Sequence, residues 1–238
     1  MTASPCPSPD LAGLLDDRVQ DGVFRVHRDA FTRADVFAAE IERIFESTWV
    51  FVGLESQVAR AHDYITTNIG RQPVIVMRDG EGRLHCVMNS CRHRGMVVAP
   101  LRAGNQRVHT CRYHGWAYDS SGRNVSISAR EHARYPAAFQ QAGHDLVPTA
   151  RFAGYRGFLF ASLSADVPPL DAHLGDARRF LDLMIDQAPQ GLEFLPGSVA
   201  YTFNANWKVQ IENALDMYHF GHVHVSYVDL LGRRERMA

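Results

Sequence analysis

The 238 residues set 25 Lys and Arg against 26 Asp and Glu, a formal net charge of −1. That balance offers no electrostatic footprint for nucleic acid or an anionic membrane, and neither is expected as a partner. Hydrophobic residues make up 46%, enough for one large domain or two modest ones, and no run approaches the roughly 18 apolar residues of a membrane span.

The chain opens on Ser4-Pro5-Cys6-Pro7-Ser8-Pro9. Closely spaced prolines exclude a helix and no signal-like apolar run follows, so residues 1–14 are expected to be a disordered leader of a cytoplasmic protein. From Thr32 to Ser47, the residues Val36, Phe37, Ile41, Ile44 and Phe45 keep a helical rhythm, which predicts a surface helix with one buried face. Thr32 with Asp35 would form its capping pair. β-Branched runs then take over at Trp49–Val52, Tyr64–Thr67 and Pro73–Met77, punctuated by Asp79-Gly80 and, later, Ser121-Gly122. These predict a small all-β domain over 49–165. Within it, Cys86 lies in the strand-like Leu84–Met88, where a buried free thiol is expected. Beyond the strand at 156–161, Asp166-Val167-Pro168-Pro169 marks a boundary. An amphipathic helix is predicted from Leu174 to Gln187, stopped at Ala188-Pro189-Gln190-Gly191, with a strand at about 199–204. Nothing in that helix looks chemical.

Chemistry concentrates first in Cys91–His114, which begins Cys91-Arg92-His93 and ends Cys111-Arg112-Tyr113-His114, with 17 residues between the two ends. Each end supplies one thiolate and one imidazole. A [2Fe–2S] cluster of Rieske type requires two Cys on one iron and two His on the other. Two facing loops of this composition meet that requirement, with Cys91 and Cys111 on one iron and His93 and His114 on the other. Zinc also accepts two Cys and two His, but its usual sequences pair Cys with Cys and His with His. Arg92, Arg94, Arg102, Arg107 and Arg112 surround these loops. A solvated surface, or partners for nearby carboxylates, is the plainer reading; a docking patch for an acidic electron donor is the alternative.

The second informative stretch is Asn206–His224. If it begins as a helix, Glu212, Asp216 and His219 share a face at spacings of four and three. His219 and His224 would point apart on a regular helix, but Gly221 between them lets the chain leave helical geometry, so both imidazoles could reach one metal. Two His and a carboxylate are the facial triad of non-haem Fe(II) oxygenases. His222, three residues after His219, is the rival ligand.

Together, the Cys/His loops followed by Gly115-Trp116, and Asn206-Trp207-Lys208, Glu212-Asn213, Asp216, Tyr218-His219 and His224, resemble the large (α) subunit of the aromatic-ring-hydroxylating oxygenases. Arg71-Gln72-Pro73, Arg151-Phe152-Ala153, Tyr155–Phe160 and Asp186–Pro189 resemble the benzoate and toluate dioxygenase branch in particular. Ala214, Met217 and Val225 stand where that branch tends to carry Gly, Gly and Trp, which implies a related but different small aromatic substrate.

The resemblance implies an α+β chain. Residues 15–48 would be a helical segment packing on the catalytic domain, residues 49–165 the Rieske domain, and residues 166–238 the start of a helix-grip-like catalytic domain. It implies that His219 and His224, rather than His222, are iron ligands. Asn213 would lie near the iron, and Asp216 would link it to a Rieske His of a neighbouring subunit. Where respiratory Rieske proteins carry a loop disulfide, this chain has Met96 and Tyr113, which implies a cluster near the bottom of the range of roughly −150 to +300 mV.

The implied activity is cis-dihydroxylation of a benzoate-like acid. Electrons would come from NAD(P)H through a reductase, with or without a ferredoxin, and the assembly would be a homotrimeric α ring with β subunits. The family's second iron carboxylate lies further downstream; Asp229 and Glu235 do not match it. The chain is therefore expected to be a fragment, a truncated frame or one part of a split enzyme. Alone it would accept an electron but hydroxylate nothing. A Rieske ferredoxin-type carrier and a zinc-stabilised binding module are the alternatives.

Overall fold

The computed structural model describes residues 8–128, 135–188, 190–195, 197 and 200–236. Residues 40–197 form one compact unit, and residues 1–39 with 198–238 form another. Helices and antiparallel sheets together make this an α+β chain. Among the described residues no helix is long and apolar enough to cross a membrane.

Residues 1–7 of the expected leader lie outside the described residues. Residues 11–14 make a turn, closed by Leu14 N–H on the Leu11 carbonyl, and His27 N–H bonds back to Leu14. The segment expected to be helical from residue 15 starts instead as a hairpin, β1 (Leu15–Arg18) and β2 (Val23–Val26), with Leu15 opposite Val26 and Arg18 opposite Val23. Its signal was Asp21-Gly22: Gly22 takes φ +65°, the left-handed conformation that a tight hairpin demands.

The helix expected over 32–47 is broken. α1 (Asp29–Thr32) ends where Arg33 adopts an extended ψ of 127°, and α2 (Ala34–Glu40) follows. Thr32 is no cap: its hydroxyl donates to the Arg28 carbonyl, while Asp35 accepts from Arg33 Nε at 3.0 Å and Nη2 at 2.6 Å. A π turn, Ile41–Phe45, continues α2, with Glu46 N–H reaching back five residues to Ile41. The wider turn rotates later residues off the side that Val36 and Ala39 bury, and Ile44 stays 43% exposed.

The larger unit is built on β3 (Val50–Leu54), β4 (Asp63–Ile69), β5 (Gln72–Arg78), β6 (Leu84–Met88), β7 (Ala103–Asn105), β8 (Val108–Thr110), β9 (Ala117–Asp119), β10 (Asn124–Ser126), β11 (Arg151–Tyr155) and β12 (Phe158–Ser162). They pair antiparallel in three sheets, ordered β6-β5-β4-β7, β10-β9-β8 and β11-β12-β3. The unbroken apolar run of β5 reports burial on both faces. Ile75 and Met77 join Tyr64, Val87 and Trp116 in one core, and Val74 and Val76 join Val52, Ile65 and Leu159 in another. Cys86 is the buried free thiol expected, and burial pushes it up to about 12.

Two turns repeat one device, Asp-x-x-Gly-Arg. Asp79 Oδ1 accepts from the N–H of Glu81 and Arg83 and its Oδ2 from Arg83 Nε; Asp119 does the same for Ser121 and Arg123. Each turn thus satisfies its own amides while closing a hairpin.

After the short α3 (Ala137–Gln141) and α4 (Leu170–Leu174), the helix expected from Leu174 to Gln187 is the shorter α5 (Ala177–Ile185), set off from α4 by Gly175 at φ +48°. Arg156 anchors α5 by a fork to Asp182 and Asp186, both at 2.7 Å. The apolar side of α5 is largely uncovered, with Phe180 74% exposed. Of the expected helix stop, Pro189 lies outside the described residues, as does Val199 of the expected strand; residues 200–204 pair with no strand among the described residues. The chain then forms α6 (Trp207–Leu215), α7 (Phe220–Val223) and α8 (Val225–Glu235).

Candidate metal centres

The two Cys/His loops share one backbone plan. Cys91 N–H donates to the Met96 carbonyl and Gly95 N–H returns to the Cys91 carbonyl; Cys111 N–H donates to Trp116 and Gly115 N–H returns to Cys111. Both turns close only because the residue four after each Cys is a glycine, at φ +74° and +71°. That repeated Cys-x-x-x-Gly spacing is legible in the sequence, although the ligand pattern alone does not require it.

Both thiols are buried in the core, at 3% and 2% exposure, and free, while His93 and His114 stand exposed at the loop tips. The imidazoles come together, with ring centroids 4.6 Å apart, and His93 stacks on Trp116 at 5.1 Å. Desolvation, then His114 and Arg94, push the His93 imidazole below its ordinary value, which favours the neutral, ligating form. Among the described residues no three of His, Cys, Asp and Glu converge on one point as a mononuclear site requires. The loops do offer two buried thiols and two paired imidazoles, the two-and-two donor set that a dinuclear cluster takes.

Behind the loops, Tyr118 is fully buried, with its hydroxyl 3.3 Å from Cys91 Sγ and accepting from Arg92 N–H at 3.1 Å. Burial, then Cys91, push its phenol far above the ordinary value, so it stays protonated. His109, which the sequence reading passed over, lies edge-on to Tyr64; burial lowers its pKa, and neither ring nitrogen has a hydrogen-bond partner among the described residues. The five arginines near the loops are all exposed, and none pairs with a carboxylate among the described residues.

In the second stretch, Asn206 caps α6 by accepting from Lys208 N–H at 3.0 Å. The helix ends one residue before Asp216, whose ψ of 103° takes it out of the helix, so Glu212, Asp216 and His219 do not line a continuous helical face. Asp216 instead organises a turn. One carboxylate oxygen accepts from Tyr218 N–H at 2.7 Å and the other lies 3.0 Å from His219 Nδ1. Those two contacts, in that order, hold its carboxyl below the usual range.

His219 immediately precedes α7, and Gly221 lies inside that helix rather than breaking it. The departure from helical geometry comes at His224, φ −109° and ψ 42°, between α7 and α8. The rings of His219 and His224 meet at 5.3 Å, whereas His222 makes no ring contact among the described residues. Asn213 sits exposed on α6. The donor set fits two of a triad's three ligands, because Asp216 is already engaged with His219.

The sequence matches a family model described as a Rieske [2Fe-2S] domain over residues 48–141 and one described as the ring hydroxylating alpha subunit (catalytic domain) over residues 195–237. It is 43% identical to toluate 1,2-dioxygenase subunit alpha of Pseudomonas putida over 91% of this chain and 48% of that protein. Against anthranilate 1,2-dioxygenase large subunit of Acinetobacter baylyi the figures are 45%, 95% and 48%. Among solved structures, naphthalene 1,2-dioxygenase from Rhodococcus sp. bound to indole superposes with a TM-score of 0.79 at 33% identity, covering 86% of this chain and 47% of that one. The chain thus spans about half the length of the relatives it matches. With a Rieske domain and the ring-hydroxylating segment on one polypeptide, it belongs to the α-subunit family of the Rieske ring-hydroxylating dioxygenases.

Proposed function

We propose that this chain is part of the oxygenase component of an aromatic-ring-hydroxylating dioxygenase acting on a benzoate-like acid. The observation that carries the reading is the approach of His93 and His114 to 4.6 Å on the two loops whose thiols, Cys91 and Cys111, are buried. Cys91, Cys111, His93 and His114 would hold a [2Fe–2S] cluster, and His219 and His224 would contribute to a mononuclear Fe(II) site. Bound there, the two centres supply one-electron transfer and dioxygen reduction. The chain's own residues do the rest. The loop glycines shape the ligand turns, Trp116 orients His93, and Asp216 holds His219 in one tautomer and orientation. Asn213 would lie beside the iron, and Asp216 would link His219 to a cluster His of a neighbouring α subunit.

The same reading assigns the partners. An NAD(P)H-dependent reductase, with or without a ferredoxin, would supply electrons to a cytoplasmic α ring with β subunits. Residues 15–48 would serve as the segment packing on the catalytic domain, residues 49–165 as the Rieske domain and residues 166–238 as part of the catalytic domain.

The test is metal content and electron paramagnetic resonance before and after reduction, followed by turnover of a benzoate panel with reductase and NADH. A reducible cluster lost in His114→Ala, together with a cis-diol product, is expected. Stoichiometric zinc without iron overturns the cluster. A reversible cluster without diol formation by the assembled protein points instead to an electron carrier.

A further inference from the structure

We propose that His144 is a positioning residue for the cluster, propping the Trp116 ring flat against the imidazole of His93. This rests on the reading of His93 as a cluster ligand. Trp116 belongs to the second loop, where its carbonyl accepts from Cys111 N–H at 2.8 Å. Its ring nevertheless reaches the first loop and stacks on His93 at 5.1 Å, with the two planes 10° apart. One indole therefore ties the two loops together, and its tilt decides the plane that His93 adopts. A single ring stack is a weak restraint, so the tilt needs further contacts.

Those contacts centre on His144. Its ring stands edge-to-face with Trp116 at 5.3 Å and 74°, and lies 4.4 Å from the ring of Phe139 on α3. Phe139 in turn meets Trp116 edge-to-face at 6.1 Å. The His144 imidazole is itself held from two sides. Its Nε2 lies 2.8 Å from the Phe139 carbonyl, which can only accept, so Nε2 carries the proton and donates. On the backbone side, Asp145 Oδ1 accepts from Asn124 N–H at 2.7 Å, and Leu146 N–H donates to the Gly122 carbonyl at 2.8 Å. Both bonds pin the residues after His144 to the hairpin that follows Trp116. The orientation of a ligand imidazole is set by contacts of this outer kind, and they tune the metal centre it serves. His144 acts on the cluster through Trp116 and His93.

The experiment is pulsed electron paramagnetic resonance of the reduced cluster, reading the nitrogen couplings of its two imidazole ligands in the wild type, His144→Leu and His144→Phe. Leucine fills the space but offers neither ring nor N–H, whereas phenylalanine keeps a ring against Trp116. The expected result is full iron and sulfide in all three proteins. One of the two nitrogen couplings should be displaced in His144→Leu and return to the wild-type value in His144→Phe. An intact cluster with both couplings unchanged in His144→Leu overturns the proposal, and so does a His144→Phe protein displaced as far as the leucine variant. A second ring-free variant, His144→Gln, retains a donor for the Phe139 carbonyl and so protects assembly if leucine prevents it. The same coupling should move there, and no movement equally overturns the proposal. A protein that takes zinc in place of iron removes both this role and the underlying ligand reading. Unmoved couplings with iron in place remove this role alone.

Discussion

The carboxylate of Asp216 lies 3.0 Å from Nδ1 of His219, at the point where the chain leaves α6. Nε2 of the same imidazole is thereby the nitrogen left to face a metal. Asp216→Ala should weaken metal binding at this site by about 10–100-fold, whereas Asp216→Asn, which can still accept from Tyr218 N–H, should fall between. Anaerobic Fe(II) titration calorimetry on the assembled protein measures the difference. Equal affinities in all three proteins would refute the positioning role.

His224 and His222 make a paired test, because only His224 has its ring against His219. His224→Ala should strip the mononuclear iron while leaving cluster iron and sulfide in place. His222→Ala should keep both. Iron and acid-labile sulfide per chain are the readouts, and iron loss on His222→Ala would reverse the assignment.

The loop glycines differ in what an added methyl meets. At Gly115 a Cβ would come within 2.4 Å of Ser128 Oγ; at Gly95 its nearest neighbour is Ser90 Oγ at 3.6 Å. Both substitutions incur left-handed backbone strain of about 1–2 kcal/mol. Gly115→Ala must also displace the serine, so it should lower the melting temperature and cluster occupancy more than Gly95→Ala. The reverse order in thermal melts would contradict the loop geometry.

Acid stability should depend on Asp79. Burial opposes its ionisation, but hydrogen bonds from His85, from the backbone N–H of Arg83 and Glu81 and from the Arg83 side chain outweigh that and hold its carboxyl well below the ordinary range. A depressed folded pKa stabilises fully above the unfolded value of about 3.9, and that stability is lost as the pH falls toward the folded value. Asp79→Ala should cost about 1–3 kcal/mol at neutral pH and flatten the fall in stability below about pH 4. Denaturant midpoints measured between acid and neutral pH test both parts, and parallel pH curves would argue against the linkage.

Strands β3, β4, β5, β6 and β12 were legible because their signals are local, whereas the short β7 to β10 and β11 carried no such run. The β5 run of Val74–Met77 is short, rich in β-branched residues and followed by Asp79-Gly80, which together mark a strand buried on both faces and a turn. The four Cys/His candidates and His219 could be named from residue type and spacing, and the fold brings His93 against His114. Helix continuity was less legible. Arg33, Gly175 and Asp216 each end a segment whose apolar rhythm runs on past them. Periodicity reports which face a segment offers to a core, and says little about whether backbone hydrogen bonding is interrupted. The 15–26 hairpin was signalled by Asp21-Gly22, but no long run of β-branched residues announced its strands.

What only the tertiary structure decided is which groups meet. Sequence spacing made His222 and His224 rivals, and the turn at His224 brought only the latter against His219. Tyr118 lies 27 residues from Cys91 and carries no motif of its own; folding β9 beneath the first loop sets its hydroxyl at the sulfur. Ligand identity is a property of side chains and survives in the one-dimensional string. Hydrogen bonds between distant residues depend on strand register, and register is settled by which apolar faces can be buried together.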